Sequence, residues 1–109
     1  SSLACFRKAL TLLQPDSAVL FTCYRGLAEG YYAENDFRHA LPEFLQAQRY
    51  DPTSLTTAYY IGICYEALGD KAHAKDAYQH FIQMTAVEKN LGDEMKKMVE
   101  DAKRRIRAC

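Results

Sequence analysis

Residue types in this chain recur at an interval of 34. Asn35-Asp36 and Gly69-Asp70 stand that far apart, as do Tyr31 and Tyr65, His39 and His73, Ala40 and Ala74, and Phe44 and Tyr78. Leu27-Ala28 falls on Ile61-Gly62. Self-similarity at a fixed period of this length implies stacked copies of one supersecondary unit, because a single copy cannot bury its apolar face alone.

The period inside each unit is helical. Leu3, Phe6, Leu10 and Leu13 step by three or four, as do Leu27 and Tyr31, then Ala40, Phe44 and Ala47. Ile61, Tyr65 and Leu68 follow, then Ala74, Tyr78 and Phe81-Ile82, and finally Leu91, Met95, Met98, Ala102 and Ile106. That spacing puts each set on one helix face, and no alternating strand pattern competes with it. Breakers fall at 14–17, 35–36, 50–54, 69–70 and 90–93. Asn35 and Gly69 tolerate a left-handed helix end, and Asp36 and Asp70 are natural N-caps of the helix that follows. The expectation is all-α: antiparallel helices joined by very short turns.

One glycine needs explaining. Gly62 lies inside the apolar helix pattern of 56–68, where it costs about 1 kcal/mol against alanine. The repeat aligns it with Ala28, and both are small where two helices of one unit would cross. Ala40 and Ala74 are small at the matching positions of the second helices.

The residues Tyr24, Leu27, Ala28, Tyr31, Ala40, Phe44, Ala47 and Pro52, followed by Ala58, Ile61, Gly62, Tyr65, Ala74 and Tyr78, resemble the tetratricopeptide (TPR) family, whose 34-residue signature is W-x2-L-G-x2-Y, A-x3-F, P. The departures are the missing Trp, Phe81 in place of a small residue and Ala86 in place of the second proline. The resemblance implies a right-handed superhelical solenoid with repeats at 21–54 and 55–88. It also implies a truncated repeat's second helix at 3–14 and a capping helix at 93–108. A natural chain extending upstream of Ser1 is expected. The "AYQHFIQM" and "AKRRI" segments look most like bacterial TPR proteins, some of which act in secretion or the cell envelope.

In TPR superhelices the first helix of each repeat lines a concave groove. Carried over, the groove positions are Thr22, Arg25, Glu29 and Tyr32, then Thr56, Tyr59, Ile63 and Glu66. Of these, Arg25, Glu29, Tyr32, Tyr59, Ile63 and Glu66 are the candidate partner-binding residues: an aromatic and aliphatic anchor framed by charge. The alternative is that the capping helix covers them. The carboxylate clamp of some TPR co-chaperones is not expected, because Glu29 and Tyr60 stand where asparagines belong and an acid would repel the ligand.

The resemblance therefore implies a module that binds a protein or peptide segment and scaffolds an assembly. Two alternatives are a dedicated chaperone for a secreted or envelope protein, and a homo-oligomerisation module. Lys+Arg and Asp+Glu both number 14, so nothing in the charge draws the chain to nucleic acid or an anionic membrane, and no apolar run reaches membrane-span length. No motif suggests an enzyme, a cofactor or a metal. His39 and His73 share a repeat position, the four cysteines lack zinc spacing, and Met95 and Met98 read as core. Cys23 and Cys64 read as small packed residues rather than disulfide partners, Cys109 as an exposed terminal thiol, and 103–107 as a solvated cap face. A cytoplasmic location is favoured, with the bacterial envelope as the alternative.

Overall fold

Two turns set the course of the chain. Asn35 has φ 60° and Gly69 φ 85°, the left-handed conformation expected at a helix end. Around each, the same pair of hydrogen bonds closes the helix: Asp36 N–H to Tyr31 O (2.9 Å) and Asn35 N–H to Tyr32 O (2.9 Å), then Asp70 N–H to Tyr65 O (2.9 Å) and Gly69 N–H to Glu66 O (3.0 Å). This is the Schellman arrangement. The aspartate that ends one helix also caps the next, its carboxylate accepting from His39 N–H (3.3 Å) or His73 N–H (3.2 Å). A single residue thus serves two helices, which is why the hairpins are so tight.

The computed structural model describes residues 4–7 and 16–109. Residues 4–7 are helical; the rest of the segment expected at 3–14 lies outside the described residues. Five helices follow: α1 (Ser17–Ala33), α2 (Phe37–Tyr50), α3 (Leu55–Ala67), α4 (Lys71–Ala86) and α5 (Asp93–Ala108). Each packs on the next along the chain, and among the described residues there is no strand. No described helix is long and apolar enough to cross a membrane. The helix start expected near 21 falls at Ser17, because Asp16 caps it by accepting from Ala18 N–H (2.9 Å). Ser54 caps α3. Helix α5 has no side-chain cap; Asp93 and Glu94 at its start and Arg105 and Arg107 at its end complement its dipole instead.

The core divides in two. Ala28, Ala40, Phe44, Ile61 and Cys64 bind the first hairpin to α3. Ala58, Ala74, Tyr78, Phe81, Val99 and Ala102 bind the second hairpin to α5. Helix α3 contributes to both, so it is the hinge between the units. The Tyr78 ring lies directly on Gly62: a Cβ added there would stand 2.5 Å from Tyr78 Cε1 and 2.6 Å from Cδ1. The missing side chain lets the ring cross α3 and place its hydroxyl on Glu66 (2.6 Å), one turn further along.

One expectation is corrected here. Cys23 is buried on its helix, but it is not a free packed thiol: it forms a disulfide with Cys5, with Cα atoms 5.5 Å apart. Cys64 is the free buried thiol, and Cys109 is free and exposed. The apolar stripe of α5 gains Val99, which with Ala102 is its buried centre; Met95, Met98 and Ile106 are half-buried beside them.

Candidate partner-binding surface

The six candidate residues come from equivalent positions, 34 residues apart, on the first helices of the two hairpins, α1 and α3. Arg25 is the best anchored. Its Nε donates to Glu29 Oε1 (2.9 Å), and its NH1 donates to the hydroxyls of Thr56 (2.8 Å) and Thr57 (2.7 Å). The guanidinium also lies over the Phe44 and Tyr60 rings, 5.6 and 5.4 Å from their centroids. Its side chain is only 15% exposed. Arg25 is therefore a tie between α1 and the first turn of α3, and it shares the fully buried Thr57 hydroxyl with Ser54 Oγ (2.8 Å). Glu29, 57% exposed, is the open end of this group.

Tyr32 stands edge-on to Phe37, Phe44 and Tyr60, with centroid separations of 5.6, 6.1 and 5.0 Å. Burial raises its phenol pKa, the neighbouring Tyr60 and Cys64 add to the rise, and the Arg105 charge works against it. Tyr60 in turn meets Tyr59 at 5.6 Å. Arg25, Tyr32 and Tyr59 are thus joined through one aromatic run across α1 and α3.

The α3 half of the set is occupied by α5. The Tyr59 hydroxyl donates to Asp101, and its ring leans on Phe81 at 5.4 Å. Ile63 packs into the cluster that holds Val99 and Ala102. Glu66 accepts from Tyr78 and from Arg105 NH1 (3.0 Å). Arg105 Nε donates to Asp101 (2.7 Å), which also pairs with Arg104. Tyr59, Asp101, Arg105, Glu66 and Tyr78 therefore form one continuous network from α3 and α4 to the cap. The anchor positions Tyr59, Ile63 and Glu66 are held within the chain, as the covering alternative expected. An open cleft of about 580 Å³ remains beside Tyr59, bounded by Lys97, Met98, Asp101 and Arg104.

The reading of 103–107 as a solvated face is corrected for Arg105, which turns inward to Glu66. Asp101 and Arg105, at (i, i+4), are a legible helix pair; their partners on α3 are not, since nothing local marks them. Burial pushes the Asp101 pKa up, but hydrogen bonds from Tyr59 and Arg105, with the Arg105 and Arg104 charges, outweigh it and leave it below its ordinary value. A carboxylate with a lowered folded pKa stabilises fully above its unfolded pKa, about 3.9, and loses that contribution as pH falls through the folded value. Melting temperatures measured from neutral pH down to about pH 3 should therefore fall in the acid range. Asp101→Asn should start lower and fall less steeply there, because its share of the loss has already been taken. An identical slope for wild type and variant would show that Asp101 is not part of the acid transition.

No protein-family model and no curated protein sequence matches the chain.

Proposed function

We propose that this chain is a TPR-type module that binds a segment of a partner protein on the α1 side of its first-helix face and holds it for assembly. The observation that carries the reading is the duplicated hairpin. The Schellman turn, the Asp cap and a Tyr–His stack recur 34 residues apart: Tyr31 on His39 at 5.3 Å and Tyr65 on His73 at 5.1 Å. Stacked identical units of this kind build extended surfaces rather than enclosed catalytic sites. On that surface Glu29 is exposed and Tyr32 is half-buried, whereas Tyr59, Ile63 and Glu66 are engaged by α5. The proposed contact is therefore Glu29 together with Tyr32, and Arg25 holds Glu29 through its Nε.

The test uses changes that spare the fold. Glu29→Lys removes an exposed ion pair worth at most about 1 kcal/mol, and Tyr32→Phe removes one hydroxyl and keeps the ring. Capture by the immobilised chain, read by mass spectrometry beside the melting temperature, should show a set of proteins lost in the double variant at nearly unchanged stability. Retention of the same proteins would overturn the placement.

The Cys5–Cys23 disulfide favours a second reading of the same module, as a chaperone for a secreted or envelope protein. Disulfides persist in oxidising compartments, which weighs against the cytoplasmic location favoured from sequence.

A further inference from the structure

We infer, resting on the reading above that this surface binds a partner segment, that it selects the segment by the order of its charges. A cation of the segment sits over Glu29 of α1, apolar side chains lie along Tyr32 and Tyr60, and a carboxylate reaches Lys97 and Arg104 of α5. The two ends of the surface carry opposite charge. Between residues 16 and 51 six acids stand against three arginines, whereas between 93 and 108 six cations stand against four acids. At the α1 end the accessible charge is negative. Arg25 is largely buried and its donors go to Glu29, Thr56 and Thr57. It engages exposed Glu29 through one oxygen, Oε1, and a carboxylate has lone pairs for further donors.

The middle is aromatic and half-buried. Tyr32 meets Tyr60 at 5.0 Å, and Tyr60 meets Tyr59 at 5.6 Å. The run ends at the open cleft of about 580 Å³, whose lining Tyr59 and Met98 share with Lys97 and Arg104. Asp101 is the acid of the cleft that meets the rings, and its charge is answered within the chain by Tyr59, Arg104 and Arg105. Glu94 and Glu100 also line the cleft, in exposed pairs with Lys97 at 3.8 Å and Lys103 at 3.6 Å. Pairs of that kind are worth little and yield to a better placed partner. Lys97 is 76% and Arg104 68% exposed, so both cations are open to a carboxylate. Two interhelical steps separate α1 from α5, roughly 20 Å at 8–10 Å each. An extended segment spans that in about six residues. Complementary charge at both ends then fixes which segments fit and how they lie.

The test is selection by the immobilised whole chain from a phage-displayed library of random octapeptides. Enriched sequences should carry Lys or Arg toward one end, Asp or Glu about six positions away, and apolar residues between. A synthetic peptide of the enriched sequence should bind ~2- to 5-fold more weakly when either charge is replaced by Gln, the range of exposed charge pairs. Glu29→Lys should end selection of the cation and keep that of the acid, and Lys97→Glu should do the converse. Both positions are exposed, so the melting temperature should stay near that of the wild type. Enrichment of one sign of charge alone, or of both without a fixed separation, would overturn the charge order. So would an enrichment that the two variants leave unchanged. A library that yields no binder would overturn it too. In that case, proteins still captured by the wild type and lost on the Glu29→Lys, Tyr32→Phe change would leave the partner-binding reading standing, and their retention would remove both.

Discussion

Gly62→Ala is expected to lower the melting temperature, although alanine is the better helix former by about 1 kcal/mol. The added Cβ would meet Tyr78 at 2.5 Å. The ring has little freedom to withdraw, because Tyr78 is fully buried and its hydroxyl is held by Glu66. Relief means separating α3 from α4 or breaking that hydrogen bond, and overpacking of this kind costs about 1–3 kcal/mol. For a chain of this size each kcal/mol shifts the midpoint by about 4–8 °C. Gly62→Leu should fall further. The matched control is Gly26→Ala: Gly26 also lies inside a helix, α1, but nothing stands within 4 Å of a Cβ added there. That change should raise the midpoint, by up to about 1 kcal/mol of stability. Thermal unfolding of the two variants side by side should give opposite signs; a stabilised Gly62→Ala would remove the close ring–backbone contact as the reason for the glycine.

That contact was legible before any coordinates because the repeat supplied it. Aligning Gly62 with Ala28, and Tyr78 with Phe44, puts a small residue opposite a ring twice. The hairpin turns were legible for a similar reason: Asn35 with Asp36 and Gly69 with Asp70 act on backbone groups within six residues of themselves. What could not be read depends on distance along the chain. Arg25 reads as a cation free for a ligand until Thr56 and Thr57, 31 and 32 residues on, take its donors. Arg105 reads as a charge on a polar face until Glu66, 39 residues back, draws it inward. Cys23 sits at an apolar helix position that suits a packed thiol and a half-cystine equally. Only the path of the chain decides whether Cys5 arrives 5.5 Å away.

The double change Tyr59→Ala with Ile63→Glu carries the other large expected effect, a loss of stability of about 3–5 kcal/mol. As open groove residues these two would be dispensable for folding, and removing them would cancel partner capture alone. In the structure they lie under α5. Truncating Tyr59 removes a ring in contact with Tyr60, Tyr78 and Phe81 and leaves Asp101 without its phenol donor; large-to-small changes of a buried aromatic cost about 3–5 kcal/mol, less for a ring that is half-buried. Ile63→Glu then places a carboxylate among Val99, Ala102 and the methionines of α5, one turn from the Glu66 carboxylate, where it must be desolvated without a partner. Arg105 cannot serve it without leaving Glu66 or Asp101. The cap should detach first, so loss of α5 protection in hydrogen exchange should precede loss of the first hairpin, whose cluster shares only the Tyr59–Tyr60 ring contact with them. Tyr59→Phe, which keeps the ring, should cost only about 1 kcal/mol for the lost hydroxyl. A double variant melting within a few degrees of wild type would mean that α5 does not rest on these side chains, and would return Tyr59 and Ile63 to the accessible surface beside Glu29 and Tyr32.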